Sequence, residues 1–334
     1  MTTTLMTLDE IHDLAMSCLM KNGADETNAR PVADNMTGAE RDGSHSHGLF
    51  RLPAHVAALR SGKVNGTARP DLNAATSSLI KLKGDNCFAP LAQQMGIPKV
   101  AEAAKATGVG VLAMTGIHHM AALWPEVEAL SEQNLVGLAC VCYMPAVAPA
   151  GAVEALFGTN PLAFAWPRPG RSPVVFDMAT AAMAMGEVQI AARDGHDLPP
   201  GTGLDSDGNP TTNPKDITDG GVLLPFGGYK GSAISMMVEL LAAGLVGESF
   251  SFEAKEKDNG DGGPPQGGQF LLALSPEMIA GSGWQEHCDG FLARMSAMDG
   301  VRMPGERRHK NRLSAGPREI NTALVEKIQG LMNG

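Results

Sequence analysis

The stretch "TGVGVLAMTGIHH", residues 107–119, decides which way the chain folds. Two glycines one residue apart invite a dinucleotide-binding turn. Such a turn follows a strand and opens a helix, whereas these glycines close a helical stretch (91–107) and lead into a β-rich run, so a standard Rossmann site is disfavoured. Any nucleotide needs another cradle. Working outward, "SSLIKL", "LVGLACVCYM", "NPLAFAWP", "PVVFDMA" and "GGQFLLAL" read as further strands, separated by helical stretches at 121–133, 182–193 and 230–246. That alternation is the pattern of an α/β chain. Gly/Pro/Asp-rich segments at 195–221 and 256–268 read as loops.

Before the strands lies a helical region of about seventy residues by the same pattern reading. Thr7 and Glu10 form a capping box for a helix over 8–21 that Gly23 stops, and a second helix runs from Glu26 to Arg41. "LFRLPAHVAALRSG" makes a third, closed by Gly62. The last helix, about 317–332, is expected to pack back on the first ones.

Composition narrows the chemistry. With 334 residues, 43% hydrophobic and 19% charged, the chain has room for about two domains and an ample core. A net charge of −10, a pI near 5.4 and no block of Lys or Arg argue against nucleic acid or an anionic membrane as partner. An anionic ligand must therefore be held by locally placed groups. The N-terminal "MTTTLMTLDEIHDL" lacks a basic region before an apolar one, and Glu239 interrupts the longest apolar helix. Neither signal peptide nor membrane span is expected, which points to a cytoplasmic protein. Cys18, Cys87, Cys140, Cys142 and Cys288 show no C-x-x-C spacing, and Cys140 and Cys142 read as two same-face residues of one strand. Buried thiols fit better than a metal or redox pair.

Five segments carry candidate chemistry. In "RDGSHSHGLFRLP" (41–53), a helix from Leu49 onward would set His47 and Arg51 on one face, with Ser46 beside the imidazole and His45 spare. A proton donor would then flank a carboxylate clamp. The alternative is a solvated turn. "HHMAALWP" (118–125) places His118 and His119 between a strand and a helix that can begin at Met120, so that one faces a ligand while the other packs. "LFGTNPLAF" (156–164) offers Thr159 and Asn160 just before a strand. "FDMAT" (176–180) puts Asp177 at a strand end, able to cap the next helix or to bind a ligand hydroxyl. In "LLPFGGYKGSAISMMVELLAAGL" (223–245), Gly227, Gly228, Gly231 and Lys230 open an apolar helix as a phosphate cradle or as a plain glycine turn.

Taken together and in this order, these segments, with "GEVQIAARDG" (186–195), resemble the malate/L-lactate dehydrogenase-like (sulfolactate dehydrogenase-like) family of NAD(P)H oxidoreductases. Within it they look most like the reductases of Δ1-piperideine-2-carboxylate and Δ1-pyrroline-2-carboxylate, which use NADPH to make L-pipecolate and L-proline. The resemblance covers nearly the whole chain. It implies a non-Rossmann α/β fold with a mixed, largely antiparallel sheet flanked by helices, a helical N-terminal region, and a homodimer. Residues 116–284 would be the NADPH-binding domain, and 1–115 with 285–334 the substrate and dimerisation region.

Carried over by motif, His47 is the proton donor, Ser46 its relay partner, and Arg51 and Thr159 contact substrate. The relay carboxylate falls on Glu187, where those reductases carry Asp, with Asp194 as the alternative. The cofactor would be lined by His119, Met120, Ala121, Ala122 and Leu123, by Asp177, Met178 and Ala179, by Tyr229 and Lys230, and by the basic "RMPGERR" segment. That last segment comprises Arg302, Met303, Pro304, Gly305, Glu306, Arg307 and Arg308. The same parts would serve a 2-hydroxy acid dehydrogenase of the malate, lactate or ureidoglycolate type. A zinc hydrolase using His45, His47 and the 118/119 pair is permitted by spacing, but no HExxH or Cys arrangement supports it, and no metal is expected.

Overall fold

The computed structural model describes residues 2–333. Strand β1 (Thr3–Met6) is followed by helices α1 (Leu8–Lys21), α2 (Glu26–Arg41) and α3 (Leu52–Arg60). The capping box forms as expected: Thr7 and Glu10 satisfy each other's backbone amides, and Asp25 caps α2 by accepting from Asn28 N. Between α2 and α3 the chain makes two 3₁₀ turns, His45–His47 and Leu49–Arg51.

The middle of the chain builds one sheet from β2 (Asp71–Ala74), β3 (Leu79–Phe88), β4 (Val109–His118), β5 (Val136–Val141), β6 (Leu162–Trp166), β7 (Val174–Met178) and the later β11 (Gly267–Leu274). Its order is β2-β3-β4-β11-β5-β6-β7, and only β3 and β4 pair in parallel, across helix α4 (Ala89–Thr107). The glycines of the opening stretch serve that crossover. Gly108, at φ +87°, ends α4 in the left-handed region, and a side chain on Gly110 would stand 2.4 Å from the Val100 carbonyl oxygen. Glycine is present so that helix and strand can touch, not to cradle phosphate. Helix α5 (Trp124–Ser131) covers the β5–β6 part of the sheet, and the main core lies between this sheet and α4 and α5.

Beyond β7 come α6 (Met185–Asp194), the short β8 (Gly203–Leu204) and β9 (Pro210–Thr211), α7 (Pro214–Thr218) and β10 (Val222–Leu223). The expected loop at 195–221 thus holds most of a small β10-β8-β9 sheet, turned by Asp205, which accepts from Asp207 N and Asn209 N. Helix α8 (Tyr229–Glu239) widens into a π-helical turn over Leu240–Leu245; α9 (Ser251–Glu256) precedes β11 in the chain, and α10 (Pro276–Ala280), α11 (Trp284–Ser296) and α12 (Glu306–Arg312) follow it.

The chain closes with β12 (Arg318–Asn321) and α13 (Thr322–Leu331). Helix α13 does pack on α1 and α3, but it starts later than expected, because Arg318–Asn321 pairs antiparallel with β1. A strand partner more than three hundred residues away leaves no local periodic signal. The boundary expected between residues 115 and 116 falls inside β4. Among the described residues, no helix is long and apolar enough to cross a membrane.

Candidate active site

The 45–51 turn is built on a buried carboxylate. Glu40, near the end of α2, accepts from Leu49 N at 2.9 Å and from His45 Nδ1 at 2.6 Å, and a side chain on Gly48 would collide with it. This anchor separates the two histidines. His45 stays exposed, and its hydrogen bond to Glu40 holds its pKa above the usual imidazole range. His47 turns inward. Its Nδ1 is buried with no hydrogen-bond partner among the described residues, and its ring meets Trp124 edge-on at 6.3 Å. Burial pushes His47 down to about 3, with the charge of Arg51 and then His119 adding to the shift. Arg51 Nε donates to the Ser46 carbonyl at 2.9 Å. Its guanidinium lies against Gly186, where a Cβ would stand 2.8 Å from Nη2. His55 donates from Nδ1 to the Arg51 carbonyl, packs on Phe88, and is pushed by burial down to about 4.

Trp124 is the hub on which three of the motifs meet. Residues 119–123 are not helical, and α5 begins at Trp124 rather than Met120 because Asp177 caps it from β7, accepting from Leu123 N at 2.8 Å and Trp124 N at 3.1 Å. The carboxyl is pushed up to about 6 by burial, against the pull of those amides. The Arg308 guanidinium stacks 4.9 Å over the Trp124 ring and donates to the Val175 carbonyl, while its Nε is buried without a partner among the described residues. The preceding segment is moored along β7 as well: Val175 N donates to the Pro304 carbonyl, and a Cβ on Gly305 would stand only 3.0 Å from the Val175 carbonyl. Arg312 fixes α12 from behind through Asp42 and Glu128.

Both histidines of "HHMAALWP" are buried and oriented. His118 donates to the Pro264 carbonyl, and His119 donates from Nε2 to Glu126 at 3.1 Å. Glu126 Oε1 also accepts from Gln93 and Gln269, a buried cross-element network. Met120, Ala122 and Leu123 are buried and Ala121 half-buried. His119 lines a cleft with Val141, Tyr143, Met144, Ser251 and Pro264. In the third part, the Thr159 carbonyl accepts from Thr180 N at 2.9 Å and Oγ1 at 3.1 Å, and Phe226 N donates to the Thr180 carbonyl. That chain of contacts ties "FGTNP" through "FDMAT" to the glycines before α8. Gly227 and Gly228 adopt φ +58° and +63° with open space around them. Met178 is exposed and Ala179 half-buried. Tyr229, Lys230, Arg302, Glu306 and Arg307 are exposed, and Met303, Pro304 and Gly305 half-buried.

Not every expected partner is brought to His47. Gly186 faces Arg51, and successive helical side chains diverge by about 100°. Glu187 therefore points to solvent, and among the described residues no hydrogen bond joins it to His47. Asp194 is paired with Arg193. Ser46 contributes its carbonyl to Arg51, and no hydrogen bond links its hydroxyl to His47 among the described residues. Sequence reading missed Glu126, Gln93, Gln269, Tyr143 and His55. Glu126 carried the one available signal, as one of two glutamates, with Glu128, set among the apolar residues of a short helix; the others depend on distant elements meeting.

Three comparisons bear on this geometry. The chain matches the family described as Malate/L-lactate dehydrogenase over residues 6–329. It is 44% identical over 323 residues to a Δ1-pyrroline-2-carboxylate/Δ1-piperideine-2-carboxylate reductase of Pseudomonas putida, covering 96% of this chain and 94% of that one. It is 36% identical to a (2R)-3-sulfolactate dehydrogenase (NADP(+)) of Chromohalobacter salexigens, covering 97% of each. The crystal structure of Δ1-piperideine-2-carboxylate reductase from Pseudomonas syringae pv. tomato superposes with a TM-score of 0.93 at 43% identity, covering 98% of this chain and all of that one.

Proposed function

The chain belongs to the malate/L-lactate dehydrogenase family, and from that premise we propose that it reduces cyclic imino acids, Δ1-piperideine-2-carboxylate and Δ1-pyrroline-2-carboxylate, with NADPH. The observation that carries the reading is the 45–51 turn, where the half-buried His47 imidazole, its Nδ1 out of reach of solvent, meets Trp124 edge-on and feels the charge of Arg51, whose guanidinium is held by Ser46 O and Gly186. A cyclic imine with an adjacent carboxylate needs three things: a fork for the carboxylate, a proton at nitrogen, and an apolar wall for its ring methylenes. Arg51 is the fork, with Ser46 O and Gly186 fixing its plane. His47 is the proton donor. Burial and then the charge of Arg51 disfavour its protonated form, and a substrate carboxylate on Arg51 would offset the second of these, so that docking favours the proton His47 must give. Met120, Leu123 and Trp124, all buried, would back the site with apolar side chains, and the half-buried Thr159 would offer a hydroxyl.

The residues suit a phosphorylated cofactor. Lys230, Arg302 and Arg307 are exposed cations with no ion pair among the described residues, the Gly227–Gly228 turn opens α8 with its amides unobstructed, and Arg308 keeps a buried donor unmatched. Tyr229 with Lys230, the 119–123 segment, residues 177–179 and the 302–308 segment would hold NADPH, which when bound supplies the hydride. A homodimer also has support. Tyr229, Met236, Met237 and Leu240 form an exposed apolar stripe along α8, opposite its buried Gly231, Ser235 and Val238, a face suited to a second copy. Met237→Glu should then lower the sedimenting mass.

The second reading, a 2-hydroxy acid dehydrogenase, is favoured by the likeness to the sulfolactate enzyme. A dianionic substrate needs a second cation, and Arg308, stacked on Trp124 with one donor on the Val175 carbonyl, is the one assigned above to the cofactor. NADPH oxidation is therefore expected to run with the two imines at well over tenfold the kcat/KM found with oxaloacetate, pyruvate or sulfopyruvate. Equal turnover of a 2-keto acid hands the assignment to the second reading.

A further inference from the structure

The turn that carries Thr159 is clamped from both sides by groups that have no part in the reading above. On one side stands Glu239, the last residue of α8, 6% exposed and at the lip of the π-helical turn. Its Oε1 accepts from Asn160 Nδ2 at 2.8 Å, from Ser251 Oγ at 2.5 Å and from Gly158 N at 3.4 Å, and its Oε2 accepts from Ser251 N at 3.0 Å. Ser251 Oγ in turn accepts from Gly158 N at 2.9 Å. Asn160, fully buried at φ +42°, also donates to the Ser235 carbonyl. On the other side Ser235 Oγ donates to Thr180 Oγ1 at 2.7 Å, and Thr180 donates twice to the Thr159 carbonyl.

Thr159 is thus fixed through the residue before it, the residue after it and its own carbonyl. Its side-chain hydroxyl makes no hydrogen bond among the described residues, and the residue is half-buried, next to a segment whose partner Ser251 lines the cleft with His119 and Tyr143. A backbone held by so many bonds around one free hydroxyl is what a preorganised ligand contact requires. The left-handed backbone at Asn160, which L side chains rarely adopt, is kept in place by the Glu239 carboxylate. A π-turn directly after Glu239 shifts the following residues off the helical register, an irregularity that recurs at functional positions.

We infer that Glu239 is a positioning residue for substrate binding, acting through the Gly158–Asn160 turn to aim the Thr159 hydroxyl at the imino acid. The inference rests on Thr159 being a substrate contact. Glu239→Gln keeps the shape but sets an N–H where a carboxylate oxygen received donors, so at least one of Asn160, Gly158 or Ser251 loses its acceptor. The imine KM should rise about tenfold to a hundredfold, kcat should change less, and NADPH affinity and the melting transition should hold. In a Thr159→Ala background the same change should raise KM no further, because the hydroxyl it aims is gone.

A KM unmoved by Glu239→Gln, or raised by the same factor with and without the Thr159 hydroxyl, overturns the inference, since a merely structural carboxylate behaves that way. Thr159→Ala without effect, while His47→Ala and Arg51→Lys are impaired, overturns it too and leaves the imine reading standing. If only 2-keto acids turn over, the imine reading falls, and the same cycle measured on the 2-keto acid still decides the role of Glu239. Should Glu239→Gln lose its cooperative melt, Ser251→Ala, which removes only the bridging hydroxyl, carries the same expectation at about threefold in KM.

Discussion

The 45–51 turn and the 302–312 segment both reach Trp124, and they are built in opposite ways. In the turn, His47 and Arg51 are drawn inward and locked while His45 stays outside: Glu40 holds the backbone, Ser46 O and Gly186 hold Arg51, and His55 lies beneath. In the basic segment, Arg302 and Arg307 stand in solvent without ion pairs among the described residues, while Arg308 is drawn onto Trp124 and His309 and Arg312 are paired with Glu128 and Asp42 behind it. A dry, fixed site makes each proton and each fork geometry count, whereas a wet, mobile cation works through a screened field. Changes in the turn should therefore be costly and specific, and changes in the exposed part of the segment mild and salt-sensitive.

The largest contrast lies within the turn itself. His47→Ala should lower turnover by about 10²–10⁴-fold with NADPH affinity nearly intact, because positioned proton transfer is worth that much. His45→Ala, which removes an exposed ring from Glu40, should cost only a few-fold. Steady-state kinetics and cofactor titration on the two variants check this. Equal damage from both, or restoration by added zinc, breaks the division of labour between these neighbours.

Gly186→Ala tests how firmly the fork is held. The added Cβ would stand 2.8 Å from Arg51 Nη2 and 3.4 Å from Ser46 Cβ, so the guanidinium must move. A displaced fork should raise the substrate KM about tenfold to a hundredfold, comparable to Arg51→Lys, which loses bidentate geometry outright. A Gly186→Ala enzyme with wild-type KM shows that Arg51 does not face the substrate.

How much of this could be read in the residues follows the range of the interactions. The capping box before Leu8, the end of α2 at Arg41, and the reversed order of the 108–110 glycines are local facts, and they were legible. The nearness of His47 to Arg51 is local as well, but it comes through two 3₁₀ turns broken at Gly48, where the spacing suggested one helical face beginning at Leu49. What local patterns cannot carry is a partner from elsewhere: β12 exists only through β1, α5 starts at Trp124 only because Asp177 caps it from β7, and Glu126 matters only because Gln93, Gln269 and His119 converge on it. Glu187 illustrates the other difficulty. Its spacing within "GEVQIAARDG" was clear, but which helix face would meet Arg51 depended on packing, and Gly186 took that place.

The dry side should also be visible in acid. His47 and His55 have folded pKa values pushed down to about 3 and about 4 from 6.5, so below 6.5 the unfolded chain binds protons that the folded chain refuses, and stability falls as pH drops. Each contributes up to about 1.4 kcal/mol per pH unit. Asp177 works against them. Pushed up to about 6 from 3.8, it makes the folded chain the better proton binder in that window, so its share of stability rises as pH falls. His118, also pushed down by burial, adds to the two histidines, while His45, held up by Glu40, sides with Asp177, and the lowered imidazoles outweigh the other two to leave a net loss. Urea midpoints should decline from pH 7 to pH 5, more steeply for Asp177→Asn. A flat profile means that His47 and His55 are solvated in the folded chain.

The smallest effect belongs to the exposed cations and separates Arg307 from its neighbour. Arg307 has no ion pair among the described residues, so in solution its charge is available to a 2′-phosphate at the cost of little desolvation, and a contact of that kind is worth about 1 kcal/mol, or about fivefold in affinity. Arg307→Ala should reduce the preference for NADPH over NADH by about that factor, and the difference from wild type should shrink as salt is raised, because an exposed charge is screened within a Debye length. Arg308 is differently employed: its guanidinium lies on Trp124 and donates to the Val175 carbonyl, so Arg308→Ala should show first as a lower melting temperature, through the lost cation–π and hydrogen-bond contacts. Isothermal titration with both cofactors at low and high salt, beside thermal melts, resolves the two. If Arg308→Ala abolishes the preference at every salt concentration while Arg307→Ala leaves it untouched, the phosphate is read by a buried guanidinium at Trp124, and the basic segment belongs with the turn as a dry, preorganised half of one site.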